Sequence, residues 1–410
     1  MDEHDCDVLV VGTGAAGLTA AVVARKAGAR VLLVEKDALF GGTTAFSGGM
    51  IWIPGNHHSE AANARSGKDD SLALARQYIL DEGRGYVDTD RVDAYLRYGK
   101  QMVEYMERET EVKFYSMDYP DYVSEHPASR TQRGLCTVNY ETRKMGDQLP
   151  YLRNQLPQTL FLGLAIGSSV EMKEFMRAGR SIKSMGFVLR KLAAHARDLL
   201  FYGRSEQMVR GRALVGRLAR TASDLGIPMW LSSPMRELIV EQGRVAGALI
   251  ERAEGNTGDG VRLAEQAGAA FSAQVDQVSP WMPVSMLPGA TGVEGVWPHL
   301  VERMKPGYIS VTRSGRRFVD ESSSYHHFVQ GMIDASQREG QSEAAAWLIA
   351  DHRSIRRWGM GFVRPFPIPM GHYLRRGYLL RGRTLAELAQ RCGIDAAGLQ
   401  ETVQRFNEYA

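Results

Sequence analysis

The first fifty residues of this 410-residue chain predict an α/β fold. Three observations support it. The apolar run Val8–Val11 has the composition of a buried strand, and a helical pattern follows it. Gly12, Gly14 and Gly17 lie between the two, and a second strand pattern ends at Glu35. The order of strand, glycine-rich turn, helix, strand and acid predicts a Rossmann-like βαβ unit that binds a dinucleotide.

Each residue of this unit has a separate task in such a site. Gly12 permits the tight turn, Gly14 lets the backbone approach a pyrophosphate, and Gly17 allows close packing of helix and strand. The N-terminus of the following helix offers N–H groups and partial positive charge to phosphates. The carboxylate of Glu35 is expected to accept hydrogen bonds from ribose hydroxyls.

The segment GGTTAFSGG at residues 41–49 favours FAD over NAD. It is small, rich in glycine and rich in hydroxyls, so the backbone can lie against a large flat ring while Thr43, Thr44 and Ser47 offer hydrogen bonds. A nicotinamide enzyme has no need of such a loop. The alternative is a glycine- and serine-rich loop without a ligand.

Composition excludes several classes of protein. A net charge of +3 gives no reason to invoke nucleic acid. The three cysteines have no metal-ligand spacing and are expected to be reduced, as in the cytoplasm. No signal peptide or membrane-spanning run is predicted. No metal ligand is predicted either, because no nearby acid or cysteine completes a metal-binding set with His57 and His58, and both histidines are expected in an exposed loop.

The chain is expected to form an FAD-binding domain over residues 1–270, with a helical insert at about 71–205, and a mixed α+β catalytic domain over residues 271–410. Residues 170–220 are helical in pattern and rich in arginine and lysine. The favoured interpretation of this segment is the solvated face of an inserted helical subdomain. Peripheral contact with the inner face of the membrane through this basic segment stays open as the alternative.

Several motifs occur in an order that resembles the succinate dehydrogenase/fumarate reductase flavoprotein superfamily, and within it the 3-ketosteroid Δ1-dehydrogenase branch. They are VVGTGAAGL, VEK, GGTTAFSGGMIWIP, PDY, GNTGDGVRLAE and RRFVDESSSYHHF. The resemblance runs from Cys6 to the end of the chain and implies an FAD domain with a capping catalytic domain. The residues predicted to hold FAD are Gly12, Gly14, Ala16, Gly17, Glu35, Lys36, Gly42, Thr43, Thr44, Ser47, Gly48, Gly49, Met235 and Asp259.

Three positions within the resemblance bear on the chemistry. Covalent flavoproteins of the superfamily carry a histidine where this chain has Gly42, so non-covalent FAD is implied. The dicarboxylate reductases carry a proton-donating arginine where this chain has Tyr325. The ketosteroid enzymes have a supporting tyrosine after Pro-Asp, which Tyr122 matches, with Tyr119 as the close alternative.

These residues imply removal of two hydrogens from adjacent carbons beside the carbonyl of a small hydrophobic ketone. Tyr325 would take the α-proton, Tyr122 would stabilise the tyrosinate, and the flavin would take the hydride and pass its electrons to an external acceptor. An ordinary tyrosine pKa near 10 suits an α-proton if neighbours lower it. A buried structural tyrosine is the alternative for Tyr325, and Asp259 could cap a helix instead of touching FAD.

Two segments of the resemblance have no counterpart in these 410 residues. Relatives continue after GRVAGALIE into a further strand beside the FAD, whereas here Glu251 leads within a few residues to GNTGDG. Relatives also have a closing C-terminal segment with a Tyr-x-Gly-x-Gly element that binds the ketone oxygen. Two alternatives therefore stay open, namely a fumarate-reductase-like enzyme and a non-catalytic remnant.

Overall fold

The computed structural model describes residues 3–66, 70–156, 159–161, 163–167, 170–251, 264–270, 279–292, 295–300, 302–366 and 368–409. The chain forms two compact units, Met1–Gln274 and Val275–Ala410, and each is described by itself. Asp259, one of the predicted FAD contacts, lies outside the described residues.

The described helices of the first unit are α1 (Ala15–Lys26), α2 (His57–Ser66), α3 (Leu72–Glu82), α4 (Thr89–Glu109), α5 (Val170–Arg177), α6 (Ile182–Tyr202) and α7 (Arg210–Asp224). Its described strands are β1 (Val8–Val11), β2 (Val31–Val34), β3 (Met50–Trp52), β4 (Phe114–Ser116), β5 (Gly134–Thr137), β6 (Tyr140–Glu141), β7 (Leu160–Phe161), β8 (Leu164–Ala165), β9 (Gln207–Met208), β10 (Met229–Trp230), β11 (Met235–Glu241) and β12 (Arg244–Ile250).

A parallel sheet of order β1-β2-β10 carries the predicted βαβ unit. Strand β1 pairs with β2 in the register Val8↔Val31 to Val11↔Val34, and α1 makes the connection between them. All four residues of β2 are buried, as expected for the central strand of a parallel sheet. The predicted α/β class and the N-terminal βαβ unit are confirmed.

Helix α7 packs against α1 and forms the centre of the first core. Its buried residues include Leu214, Val215 and Leu218, which join Leu18 and Val22 of α1 in one cluster. The antiparallel sheet of order β3-β5-β4 borders this cluster, and the hairpin of β11 and β12 follows β10.

The interpretation of the whole basic segment as a solvated face is wrong for α7. Arg217 is buried, and its guanidinium donates to the carbonyl oxygens of Val138 at 3.1 Å, Glu111 at 2.5 Å and Asn139 at 2.8 Å. It also lies over the ring of Tyr140 at 4.6 Å. A guanidinium has five N–H donors in one plane, so it can fill a buried site lined with carbonyl groups.

The second unit contains two described hairpins and a set of short helices. Its strands are β13 (Val284–Met286), β14 (Val296–Pro298), β15 (Tyr308–Val311) and β16 (Trp347–Ala350). Its helices are α8 (Tyr325–Arg338), α9 (His352–Trp358), α10 (Gly371–Arg375), α11 (Leu385–Cys392) and α12 (Ala396–Tyr409). Strand β13 pairs with β14 and strand β15 with β16, both antiparallel.

A capping box is present at the start of α11. The hydroxyl of Thr384 accepts a hydrogen bond from the amide of Glu387 at 3.1 Å. The Glu387 carboxylate accepts in return from the amide of Arg383 at 2.7 Å, one residue before the cap. Among the described helices, none is both long enough and apolar enough to cross a membrane.

Gly211, in the first turn of α7, tests the packing of this helix. A Cβ there would lie 1.8 Å from the carbonyl oxygen of Thr44, so Gly211→Ala must push the two backbones apart. We expect a loss of about 1–3 kcal/mol in the free energy of unfolding, measured by denaturant titration. The matched control is Gly186→Ala in α6, where a Cβ meets nothing within 4 Å. That change should be neutral or stabilise the protein by up to about 1 kcal/mol. Equal stabilities for the two variants would contradict the packing described here.

Candidate active site

The acid at the end of β2 ties together the loops that form the predicted dinucleotide cradle. Glu35 is buried, and its Oε2 accepts from the backbone amide of Thr13 at 3.0 Å and from the Thr13 hydroxyl. Its Oε1 accepts from the amide of Asp37 at 3.1 Å. The Thr13 hydroxyl accepts in turn from the amide of Gly41 at 3.0 Å. Since a carboxylate has about four acceptor positions, Glu35 keeps capacity for a ribose hydroxyl.

The N-terminus of α1 meets the turn at residues 42–46. The Thr44 hydroxyl accepts from the amide of Ala15 at 3.0 Å. Gly14 precedes the helix without a side-chain cap, and the first turn of α1 has no acidic residue. No carboxylate in that turn therefore offsets the positive end of the helix dipole, and this suits the binding of an anionic pyrophosphate.

Close backbone packing explains two of the predicted glycines. A Cβ on Gly17 would lie 1.9 Å from the carbonyl oxygen of Gly12, so only glycine fits there. Gly12 itself has φ +95°, a left-handed conformation that glycine adopts readily. These contacts let α1 pack closely against the end of β1. The turn therefore requires glycine at positions 12 and 17 for its own packing and backbone conformation, in addition to any role in binding.

The remaining predicted FAD residues fall into two groups by position. Thr43, Ser47 and Gly48 are exposed on the turn that follows Gly41. The Ser47 hydroxyl donates to the carbonyl of Thr44 at 2.8 Å and accepts from the amide of Gly49 at 3.1 Å, so it also shapes its own loop. Lys36 and Met235 are half-buried and lie at the end of β2 and the start of β11.

Asp121, directly before Tyr122, lies in a buried polar network that the sequence analysis missed. Its Oδ2 accepts from Arg133 Nη1 at 2.7 Å and from the amide of Arg130 at 2.9 Å. Its Oδ1 accepts from Trp52 Nε1 at 2.7 Å. Arg133 is fully buried and pairs also with Asp70 at 2.6 Å. The network fixes the backbone on one side of Tyr122.

A second anchor holds the backbone on the other side of Tyr122. The amide of Val123 donates to the hydroxyl of Tyr78 at 2.9 Å. Burial raises the pKa of Tyr78, so that hydroxyl stays protonated at neutral pH. The ring of Tyr122 itself is 63% exposed, and that of Tyr119 is 53% exposed. The loop therefore presents an exposed phenol on a backbone that is fixed at both neighbours.

Tyr325 occupies the first position of α8. The side chain of Ser324 caps this helix by accepting from the amide of His327 at 3.3 Å, and the first turn has no acidic residue. The positive end of a helix dipole favours a negative charge nearby, so this position suits a phenolate. Tyr325 and Tyr122 belong to different units.

Glu321 holds the segment that leads into α8. Its Oε1 accepts from the amide of Ser310 in β15 at 2.6 Å, and its carboxylate pairs with Arg317. The buried guanidinium of Arg303 donates to the carbonyl oxygen of Glu321 and lies over the ring of Phe328 at 5.0 Å. The start of α8 is therefore anchored to strand β15 and to a buried cation.

The prediction that His57 and His58 lie in an exposed loop without a nearby acid is wrong. Both lie at the start of α2 and are partly buried, and their Nε2 atoms lie 2.9 and 3.0 Å from the carboxylate of Glu107 in α4. Their ligand-type atoms all lie within 4.8 Å of one another. Glu107 also accepts from the amide of Phe114 at 2.7 Å, so the cluster joins α2, α4 and β4.

Comparison with known proteins identifies the family. The family model described as "FAD binding domain" matches residues 7–256 and 252–410. The chain belongs to the FAD binding domain family. Its cofactor is FAD, as predicted, and it is an oxidoreductase of the flavoprotein type. The two matched segments of the family model overlap at residues 252–256.

Two curated relatives match this family member over nearly its whole length. The 4-oxocyclohex-2-ene-1-carboxylate 5-dehydrogenase of Sinomonas cyclohexanicum is 33% identical over 447 residues, which cover 98% of this chain and 74% of the relative. The 3-oxosteroid 1-dehydrogenase of Mycobacterium tuberculosis is 31% identical over 464 residues, which cover 100% of this chain and 79% of the relative.

A solved structure supports the same grouping. The chain resembles the crystal structure of 3-ketosteroid delta1-dehydrogenase from Sterolibacterium denitrificans in complex with 1,4-androstadiene-3,17-dione, with a TM-score of 0.83 and 28% identity. The match covers 98% of this chain and 79% of that chain. The predicted resemblance to the ketosteroid dehydrogenase branch is thereby confirmed.

Arg133 tests how strongly the network behind Tyr122 stabilises this FAD-binding protein. Arg133→Met leaves the buried carboxylates of Asp70 and Asp121 without their cation, so we expect a loss of about 3–5 kcal/mol in the free energy of unfolding. The control is Arg76→Met, which breaks the exposed pair of Arg76 with Asp93 and should cost about 0–1 kcal/mol. Denaturant titration measures both, and similar losses would contradict a buried network.

Proposed function

We propose that the chain catalyses the FAD-dependent dehydrogenation of a cyclic ketone at the carbon–carbon bond beside the carbonyl. The proposal rests on a feature shared by the two relatives that align with nearly the whole of this chain. One is named for an oxocyclohexene carboxylate and the other for a 3-oxosteroid, and both substrates are ketones within a ring. We infer that the ring ketone is the part of the substrate common to this group, while the rest of the molecule differs between enzymes.

Tyr325 is proposed as the base. It takes the proton from the carbon next to the carbonyl onto its phenolate oxygen, and its position at the positive end of α8 supports that charge. Tyr122 is proposed to support Tyr325 by donating a hydrogen bond to the phenolate. The bound FAD would supply the acceptor for the hydride from the neighbouring carbon. An external acceptor of unspecified chemistry must then take up the electrons.

The proposed FAD contacts follow from the cradle of the first unit. The first turn of α1, at Ala16 and Gly17, would bind the pyrophosphate, and Glu35 would bind the ribose. Residues of the turn at 42–49 would lie along the flavin ring. We propose non-covalent binding, because Gly42 has no side chain that could bond to the ring.

A reductase of an unsaturated carboxylate remains the second candidate within the superfamily. Only the FAD domain supports this reductase. A reductase would also need a proton-donating arginine at the start of α8, and Tyr325 occupies that position instead. We therefore expect oxidation of ring ketones rather than reduction of fumarate.

Replacement of single phenol oxygens tests the proposed base. Tyr325→Phe should lower the rate at which a ring ketone reduces the bound FAD by about 10²–10⁴-fold, since it removes the general base but little volume. Tyr122→Phe should lower the same rate by a smaller factor. The control is Tyr119→Phe, three residues before Tyr122 and similarly exposed, which should leave the rate unchanged. Anaerobic stopped-flow absorbance of the flavin measures all three, with a 3-ketosteroid and a 4-oxocyclohexane carboxylate as substrates.

Two results would contradict the proposal. Full activity of Tyr325→Phe, at an FAD content equal to that of the wild type, would remove the base assignment. Turnover of fumarate with a reduced dye, together with no reduction of FAD by any ring ketone, would favour the reductase.

A further inference from the structure

Helix α6 directs its polar side into the protein. The side facing inward consists of Ser184, Val188, Lys191, His195 and Asp198. Lys191 Nζ pairs with Glu171 Oε1 of α5 at 2.6 Å, and Asp198 Oδ2 accepts from the amide of Glu206, beyond the end of α6, at 3.4 Å. Polar contacts therefore hold α6 on the first unit, and this is the reverse of an ordinary surface helix.

The outward side of α6 is apolar. Ile182, Met185, Leu189 and Leu200 are exposed by 94%, 41%, 58% and 80%. Ala193 and Ala196 complete this outward stripe at the three- and four-residue spacing of one helix face, and both are exposed. Most basic residues of α6 do face solvent, as predicted, but exposed leucine, isoleucine and methionine side chains lie beside them.

A row of cations runs along one edge of the outward stripe. Lys183, Arg190 and Arg197 are spaced seven residues apart, so they lie along one side of the helix, and all three are exposed. Between residues 177 and 204 the sequence has seven lysine and arginine residues and one acid. That acid is Asp198, on the inward side.

We propose that α6 binds to the surface of an anionic lipid bilayer. An apolar stripe bordered by lysine and arginine is the pattern of helices that lie in the plane of a membrane, with the stripe among the acyl chains and the cations at the phosphates. Charge complementarity selects this occupant, because the negative surface of a bilayer matches the positive row. A second copy of the chain is disfavoured, since it would bring a second positive row to the same contact.

Vesicle co-sedimentation of the FAD-loaded protein tests the proposal. We expect sedimentation with vesicles of phosphatidylcholine and phosphatidylglycerol, weaker sedimentation with phosphatidylcholine alone, and a decrease with added salt. Each charge reversal, Lys183→Glu or Arg190→Glu, should lower the partition coefficient at least about fivefold. The double variant Leu189→Ser/Leu200→Ser should abolish sedimentation.

The controls change the same chemistry elsewhere on the surface. Arg91→Glu on α4 and Val245→Ser on β12 replace exposed residues outside α6 and should leave the partition coefficient unchanged. Three results would each overturn the proposal. They are equal sedimentation with neutral and anionic vesicles, no sedimentation with either, and an equal effect of control and α6 variants. Self-association in sedimentation velocity that Leu189→Ser/Leu200→Ser removes, without vesicle binding, would also overturn it and assign the stripe to a second copy.

Discussion

Close backbone contact around the turn at 42–46 is the constraint on which the first unit depends. On one side of this turn, Thr44 accepts from the amide of Ala15 at the start of α1. On the other side, the amide of Gly211 in α7 donates to the carbonyl oxygen of Ser47 at 3.1 Å. Because α1 and α7 also share one apolar core, the turn cannot shift without disturbing that core. The cradle for FAD is thus held by packing rather than by a loop alone, which suits a site that must hold a large ring in one orientation.

Buried arginine side chains are the second feature that stabilises this fold. Arg217 fills a pocket of carbonyl groups, Arg133 neutralises two buried carboxylates, and Arg303 supports the segment before α8. In each case a guanidinium, with several donors in one plane, satisfies polar groups that would be costly to bury alone. Two of these arginines lie next to the segments that carry Tyr122 and Tyr325. The proposed chemistry therefore depends on two tyrosines, one exposed and one half-buried, and buried polar contacts fix the backbone segments that carry them.

The sequence could predict the βαβ unit because its signals are local. The glycines at 12, 14 and 17 and the acid at 35 lie within one supersecondary unit, where spacing reports geometry directly. It could not predict the partners of Asp121 or His58, because Arg133 and Glu107 reach them through the tertiary fold. Nor could it orient α6, since both of its sides contain residues that could face the protein. Basic residues look alike in a sequence, whether they end up buried, as in α7, or exposed, as in α6.

The proposals for both tyrosines depend on non-covalent binding of FAD in the cradle of the first unit. Absorbance of the purified protein, followed by acid precipitation and filtration, tests it most directly. We expect a yellow protein whose flavin absorbance passes entirely into the filtrate, in about equal molar amount to the chain. A colourless protein that stays so after incubation with FAD, or flavin that remains in the precipitate, would contradict it.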